Sequence, residues 1–110
     1  MVLIIGGSHQ GKTEYAKDNF KDFRILDDLH LYIKKRLSEG IEESEILSEI
    51  KDTVREGSWV IIADELGNGV VPMEPFDRKY REVTGRILIE IAANSNEVYR
   101  VVCGLGQKIK

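Results

Sequence analysis

The sequence predicts an α/β fold with a mostly parallel central sheet flanked by helices, and three features point there. Short β-branched apolar runs alternate with longer segments whose apolar residues recur every three or four positions. Most of these runs end in glycines or paired acids, the composition of a turn. The run Trp59-Val60-Ile61-Ile62-Ala63 has no polar position to turn toward water, as expected of a parallel strand covered on both faces. Strands that alternate with helices in this way form parallel sheets with right-handed crossovers.

In chain order, residues 1–5 read as a buried strand that stops at Gly6-Gly7. The helix after Gly11 is marked by Tyr15, Ala16 and Phe20. Residues 23–26 form a second strand, ending in Asp27-Asp28. Leu29, Tyr32, Ile33 and Leu37 then recur at helical spacing as far as Gly40, a glycine placed to end the helix. Ile46, Leu47, Ile50 and Val54 share one face of an amphipathic helix that stops at Gly57. After the strand at 59–63 come the acids Asp64-Glu65 and a loop over residues 66–75 that holds both prolines of the chain. Pro75 suits the first turn of a helix whose core stripe is Phe76, Tyr80, Val83, Ile87 and Ile91, closed by Asn94-Ser95-Asn96. A last strand over residues 98–103 leads into Gly104-Leu105-Gly106 and the basic end Lys108-Ile109-Lys110.

With 110 residues, 42% hydrophobic and 32% charged, residues 1–110 are expected to make one domain around one core. So small a domain buries a modest share of its surface, and association between copies would help it. The net charge of −3 supplies no basic field for nucleic acid. Glu42-Glu43-Ser44-Glu45 reads as a solvated helix face. The one cysteine, Cys103, excludes an internal disulfide, fits a reducing cytosol and reads as a small buried strand residue. The apolar start has no basic region before it, and no run is long enough to span a bilayer, so a cytoplasmic protein without a membrane partner is expected.

The chemistry lies in Gly6-Gly7-Ser8-His9-Gln10-Gly11-Lys12-Thr13. The spacing Gly6-x4-Gly11-Lys12-Thr13 is that of a P-loop, in which backbone N–H groups wrap phosphate oxygens, the lysine reaches the outer phosphates and the hydroxyl meets magnesium (Mg2+). Glycines let the chain approach the anion closely, and the following helix aims its dipole at it. Here the motif follows an expected strand and opens an expected helix, the context its mechanism needs. Magnesium held with a nucleotide wants a carboxylate, and parallel sheets place such groups at strand ends. Asp27 and Glu65 are the candidates by position, whereas Asp28 reads better as a helix cap. His9 in the loop and His30 after Asp28 have no partner pattern for metal or acyl chemistry. Of Arg78, Arg81 and Arg86, Arg78 is nearest the helix start and the first candidate for a phosphate clamp.

Three stretches of the chain stand together: Leu3-Ile4-Ile5-Gly6-Gly7-Ser8 on through Ala16, then Leu26-Asp27-Asp28-Leu29-His30-Leu31-Tyr32, and a long third stretch. The third holds Asp64-Glu65-Leu66-Gly67-Asn68-Gly69-Val70-Val71-Pro72, Arg78, Tyr80-Arg81-Glu82, Gly85-Arg86, Glu97-Val98-Tyr99 and Gly104-Leu105-Gly106-Gln107-Lys108-Ile109-Lys110. In this order they resemble the bifunctional adenosylcobinamide kinase / adenosylcobinamide-phosphate guanylyltransferase family of cobalamin assembly. The resemblance implies ATP or GTP at residues 6–13, magnesium-dependent transfer of the γ-phosphoryl to the aminopropanol hydroxyl of adenosylcobinamide, and a trimer. By position it carries loop roles to Lys12 and Thr13, the strand-end acid to Asp27, and the glutamate before Gly-x-Gly to Glu65. In the family, a long segment with the histidine that carries the guanylyl group stands where this chain passes almost directly from Phe20 to Phe23. His30 aligns with a family threonine, and Leu88-Ile89 stand where the family often has Asn-Gln. The expectation is a kinase without guanylyl transfer; a non-catalytic nucleotide-binding module and a small NTPase are the competing readings.

Overall fold

The computed structural model describes residues 1–66 and 74–110. The glycine-rich stretch of residues 67–72 that carries part of the family resemblance lies outside the described residues. Along the chain run β1 (Val2–Gly6), α1 (Lys12–Asn19), β2 (Arg24–Leu26), α2 (Leu29–Ser38), α3 (Glu43–Thr53), β3 (Trp59–Asp64), α4 (Pro75–Asn94), β4 (Glu97–Val102) and β5 (Leu105–Lys108). The sheet order is β2-β3-β1-β4-β5; the first four strands are parallel and β5 runs antiparallel to β4.

Alternation along the central strands divides the side chains between two layers. Leu3, Ile61, Ala63 and Val98 face α2, α3 and α4, where they meet Leu29, Ile33, Ile46, Ile50, Val83, Ile87 and Ile91. Val2, Ile4, Val60, Ile62 and Val101 face the other way, onto Ala16 of α1 and the rings of Tyr15, Phe20, Phe23 and Tyr99. Phe20 meets both Phe23 and Tyr99 edge-on, at 5.3 and 5.7 Å. Residues 60–63 are fully enclosed, as the unbroken apolar run requires of a strand with helices on both sides. Across the helical layer, Arg86 of α4 pairs with Glu43 of α3, and Arg36 of α2 grips Glu49 of α3.

Several expectations are corrected. The last strand stops at Val102, because Cys103 (φ 51°) and Gly104 (φ 77°) form a two-residue turn that reverses the chain into β5. Tight hairpins of this kind need positive φ at both turn positions. Cys103 is therefore exposed on the turn and is not a buried strand residue. Strand β2 begins at Arg24, since Phe23 sits in a turn that closes on the Phe20 carbonyl. Phe76 leaves the core stripe and is 37% exposed, because the first turn of α4 extends beyond the packed layer. Asp28 stands at the N-terminus of α2 in the left-handed region but makes no side-chain cap.

β1 and β3 are neighbours whose outgoing helices cross opposite faces of the sheet. Their register pairs Gly6 with Asp64 at the carboxyl ends. A crevice at such a switch point is the usual ligand position of an open parallel sheet.

Candidate functional site

Two glycines shape the turn from β1 into α1. A β-carbon on Gly6 would fall 2.5 Å from the carbonyl oxygen of Val101, and one on Gly11, whose φ is 89°, would fall 3.3 Å from the α-carbon of Gly104. The backbone is thus packed against β4 and the hairpin turn more closely than a side chain permits. Three hydrogen bonds fix the turn from outside: Glu65 N–H to the Gly6 carbonyl, Gly104 N–H to the Gln10 carbonyl, and Cys103 N–H to Gln10 Oε1, each 2.8 Å. Ser8 and His9 form the exposed apex, His9 with a φ of 59°.

The loop walls a cleft of about 470 Å³, lined by residues 8–14 on one side and by Asp27, Asp28, His30, Leu31 and Asp64 on the other. Lys12 opens α1 and is buried there; its Nζ donates to the Gly7 carbonyl at 2.6 Å and pairs with Asp64 Oδ1 at 2.7 Å. The Thr13 hydroxyl donates to Asp27 Oδ2 at 2.8 Å, and Asp27 Oδ1 accepts the Asp28 N–H at 2.8 Å. The hydroxyl hydrogen is committed to Asp27, so the Thr13 oxygen presents its lone pairs to the cleft.

Asp64 has a second partner. Its backbone N–H donates to His30 Nδ1 at 3.0 Å, and its Oδ2 lies 3.3 Å from His30 Nε2. Because Nδ1 accepts, the ring proton is assigned to Nε2, which donates to the carboxylate. Behind the histidine, the Tyr80 hydroxyl donates to the His30 carbonyl at 2.9 Å, linking α4 to the first turn of α2. Burial, then the negative charge of Asp64, push the Tyr80 hydroxyl up to about 12, so it remains a donor.

Lys12, Thr13 and Asp27 thus converge with the loop 6–13. Glu65 follows Asp64 and turns away, as successive residues of an extended chain do; its carboxylate meets Arg100 at 2.8 Å. Arg78 is exposed on the first turn of α4 and does not line the cleft. Arg86 is held by Glu43 in a larger groove of about 610 Å³ between α3 and α4. The sequence reading did not single out Asp64 as the acid of its pair that lines the cleft, or His30 as its partner. The signal lay in the strand period, which sends Asp64 and Glu65 to opposite sides once the last strand residue is known.

Among the described residues, no group of three or more His, Cys, Asp or Glu side chains is assembled to hold a metal by itself, and no helix is long and apolar enough to cross a membrane.

A family model described as cobinamide kinase / cobinamide phosphate guanyltransferase matches residues 17–109. The bifunctional adenosylcobalamin biosynthesis protein CobU of Escherichia coli (strain K12) is 43% identical over 51 residues, which make up 46% of this chain and 28% of that protein. The protein of the same description from Salmonella typhimurium is 41% identical over 51 residues, with the same shares. The aligned stretch thus spans little more than a quarter of these relatives' length. The family match begins beyond the loop, so the loop stands on its own spacing and geometry. With most of its length matched by the family model, the chain belongs to the cobinamide kinase / cobinamide phosphate guanyltransferase family.

Proposed function

We propose that this chain binds a magnesium nucleoside triphosphate, ATP or GTP, in the cleft at residues 6–13 and transfers the γ-phosphoryl group to a hydroxyl of a cobinamide-type corrinoid. The observation that carries this reading is the convergence of Lys12, Thr13, Asp27 and Asp64 on one cleft at the carboxyl ends of β1 and β3.

Backbone N–H groups of Gly7, Ser8, His9, Gln10 and Gly11 cradle the phosphates, aided by the unpaired N–H groups that open α1. Gly6 and Gly11 keep that cradle narrow. Lys12 donates to Gly7 and pairs with Asp64, and the β- and γ-phosphates compete with Asp64 for its ammonium group. Thr13 and Asp27 offer adjoining hard oxygens, the donor type that magnesium prefers, and one or two carboxylates beside substrate phosphates suffice for it. Bound there, magnesium would neutralise part of the negative charge on the phosphates. Of the pair Asp64-Glu65, Asp64 rather than Glu65 orients the acceptor hydroxyl or a water, because it faces the cleft while Glu65 faces Arg100. Arg78 serves as an outer cation at the start of α4. The exposed Leu31 side chain offers an apolar contact to the acceptor.

Guanylyl transfer is left out of this reading, because no residue matches the family histidine that carries the group. A cytoplasmic homo-oligomer, trimeric by family resemblance, is the proposed form. The direct passage from Phe20 to Phe23, where the family places a long segment, favours a second reading, a nucleotide-binding module without turnover.

Incubation of the purified chain with cobinamide, magnesium and either ATP or GTP tests the proposal. It predicts a phosphorylated corrinoid; nucleotide binding without product would end the kinase reading and leave the module.

A further inference from the structure

We propose that His30 is a positioning residue that holds the Asp64 carboxylate in the cleft when Lys12 turns to the phosphates, making the magnesium contribution to nucleotide binding depend on this histidine. The inference rests on the nucleotide reading above.

Both ring nitrogens of His30 are engaged by the same residue: Nδ1 by the Asp64 N–H at 3.0 Å and Nε2 by the Asp64 carboxylate at 3.3 Å. The His30 side chain is 8% exposed, and its helix is anchored on either side by the enclosed Leu29 and Ile33. The Tyr80 hydroxyl ties the His30 carbonyl to α4. His30 therefore sits in a rigid frame made by two helices and a strand end.

Asp64 divides its carboxylate between two partners of different kind. Oδ1 faces the charge of Lys12 at 2.7 Å, and Oδ2 faces the neutral donor of His30. A triphosphate competes with Asp64 for the lysine and repels the carboxylate it displaces. An aspartate with no other tether would swing to solvent, since its side chain is already 21% exposed. His30 prevents this without cancelling the charge, because a neutral N–H donor orients a carboxylate and leaves it negative. The carboxylate then stays in the cleft that Thr13 and Asp27 also line, where a cation held with the nucleotide needs it.

The test is calorimetric titration of ATP and GTP into wild type, His30→Ala, His30→Gln and Asp64→Asn, each with and without magnesium, with thermal unfolding recorded for every variant. Loss of an orienting partner behind a metal-facing group costs about 10-fold or more in metal-linked affinity, so His30→Ala should lose about that factor of magnesium enhancement while its magnesium-free affinity stays within about 2-fold. His30→Gln, whose amide supplies one acceptor and one donor, should recover most of the loss. Asp64→Asn keeps the shape and should lose the enhancement too, which preserves the test if His30→Ala folds poorly. Equal weakening with and without magnesium, or an enhancement untouched in His30→Ala, would overturn the proposal. If wild type binds neither nucleotide, the functional reading fails first and takes this inference with it.

Discussion

The same substitution, glycine to alanine, is expected to have opposite effects at two positions of this chain. At Gly6 the added methyl falls 2.5 Å from the carbonyl oxygen of Val101, a backbone atom of a fully enclosed residue in β4. That oxygen belongs to the sheet and has no rotamer by which to escape. Forcing a methyl into such a contact costs about 1–3 kcal/mol, and a backbone obstacle places Gly6→Ala at the upper end, about 3 kcal/mol. Against a total stability of about 5–15 kcal/mol, this is a large fraction. A domain of this size loses about 4–8 °C in Tm per kcal/mol, so Tm should fall by about 12–24 °C. Gly85 lies in α4, and among the described residues nothing beyond its own helix backbone comes within 4 Å of its missing β-carbon. There alanine removes only the conformational freedom of a helical glycine, and Gly85→Ala should stabilise by about 0.5–1 kcal/mol. Thermal and urea unfolding of both variants decide the matter. A Gly6→Ala protein within about 0.5 kcal/mol of wild type, the spread of ordinary surface changes, would refute the packing described for the loop.

Other outcomes follow from the interior and from the titrating groups. Ile33 is fully enclosed between the sheet and the helices, so Ile33→Ala should cost about 2–5 kcal/mol in urea unfolding. The carboxyls of Glu43, beside Arg86, Glu49, beside Arg36 and Tyr32, and Glu97, beside Tyr99 and Lys108, all lie below their ordinary value of 4.5. The unfolded chain takes up these protons first, so their stabilisation is present above 4.5 and is lost as pH falls through the folded values. Carboxyl NMR titration should show this, and Arg86→Gln should return Glu43 toward 4.5. In alkali, burial and the Asp64 charge hold the Tyr80 hydroxyl, and the Glu97 hydrogen bond the Tyr99 hydroxyl, at about 12. Tyrosinate absorbance should therefore show these two of the four tyrosines ionising well above 10.0. The stabilisation they confer is present below 10.0 and fades as pH rises through about 12.

What could be read in advance follows the strength of the local signal. β3 was legible because five apolar residues in a row leave no solvent face. The loop at 6–13 was legible because its glycines and its Lys12-Thr13 pair answer to backbone geometry, and the strand and helix around it agree. Strand β5 was not legible: Leu105, Gly106, Gln107 and Lys108 are all exposed and pair only along one edge, so burial writes no pattern into them. Cys103 was misread for a related reason. An apolar run does not announce where it turns, and Gly104 marked only half of a turn that needed two residues with positive φ. Asp64 and His30 escaped because 34 residues separate them. Only the placement of β3 beside the start of α2 brings the imidazole to the carboxylate.

The central claim is that residues 6–13 hold a magnesium nucleoside triphosphate, and calorimetric titration of ATP and GTP into wild type and Lys12→Ala, with magnesium present, tests it most directly. Lys12 supplies charge-assisted hydrogen bonds of about 1.5–3 kcal/mol each, so its removal should weaken binding about 10- to 100-fold or more. The account predicts saturable binding of at least one nucleotide to wild type and its near loss in a folded Lys12→Ala. Absence of binding to the wild type, or equal affinity in the two proteins, would contradict it.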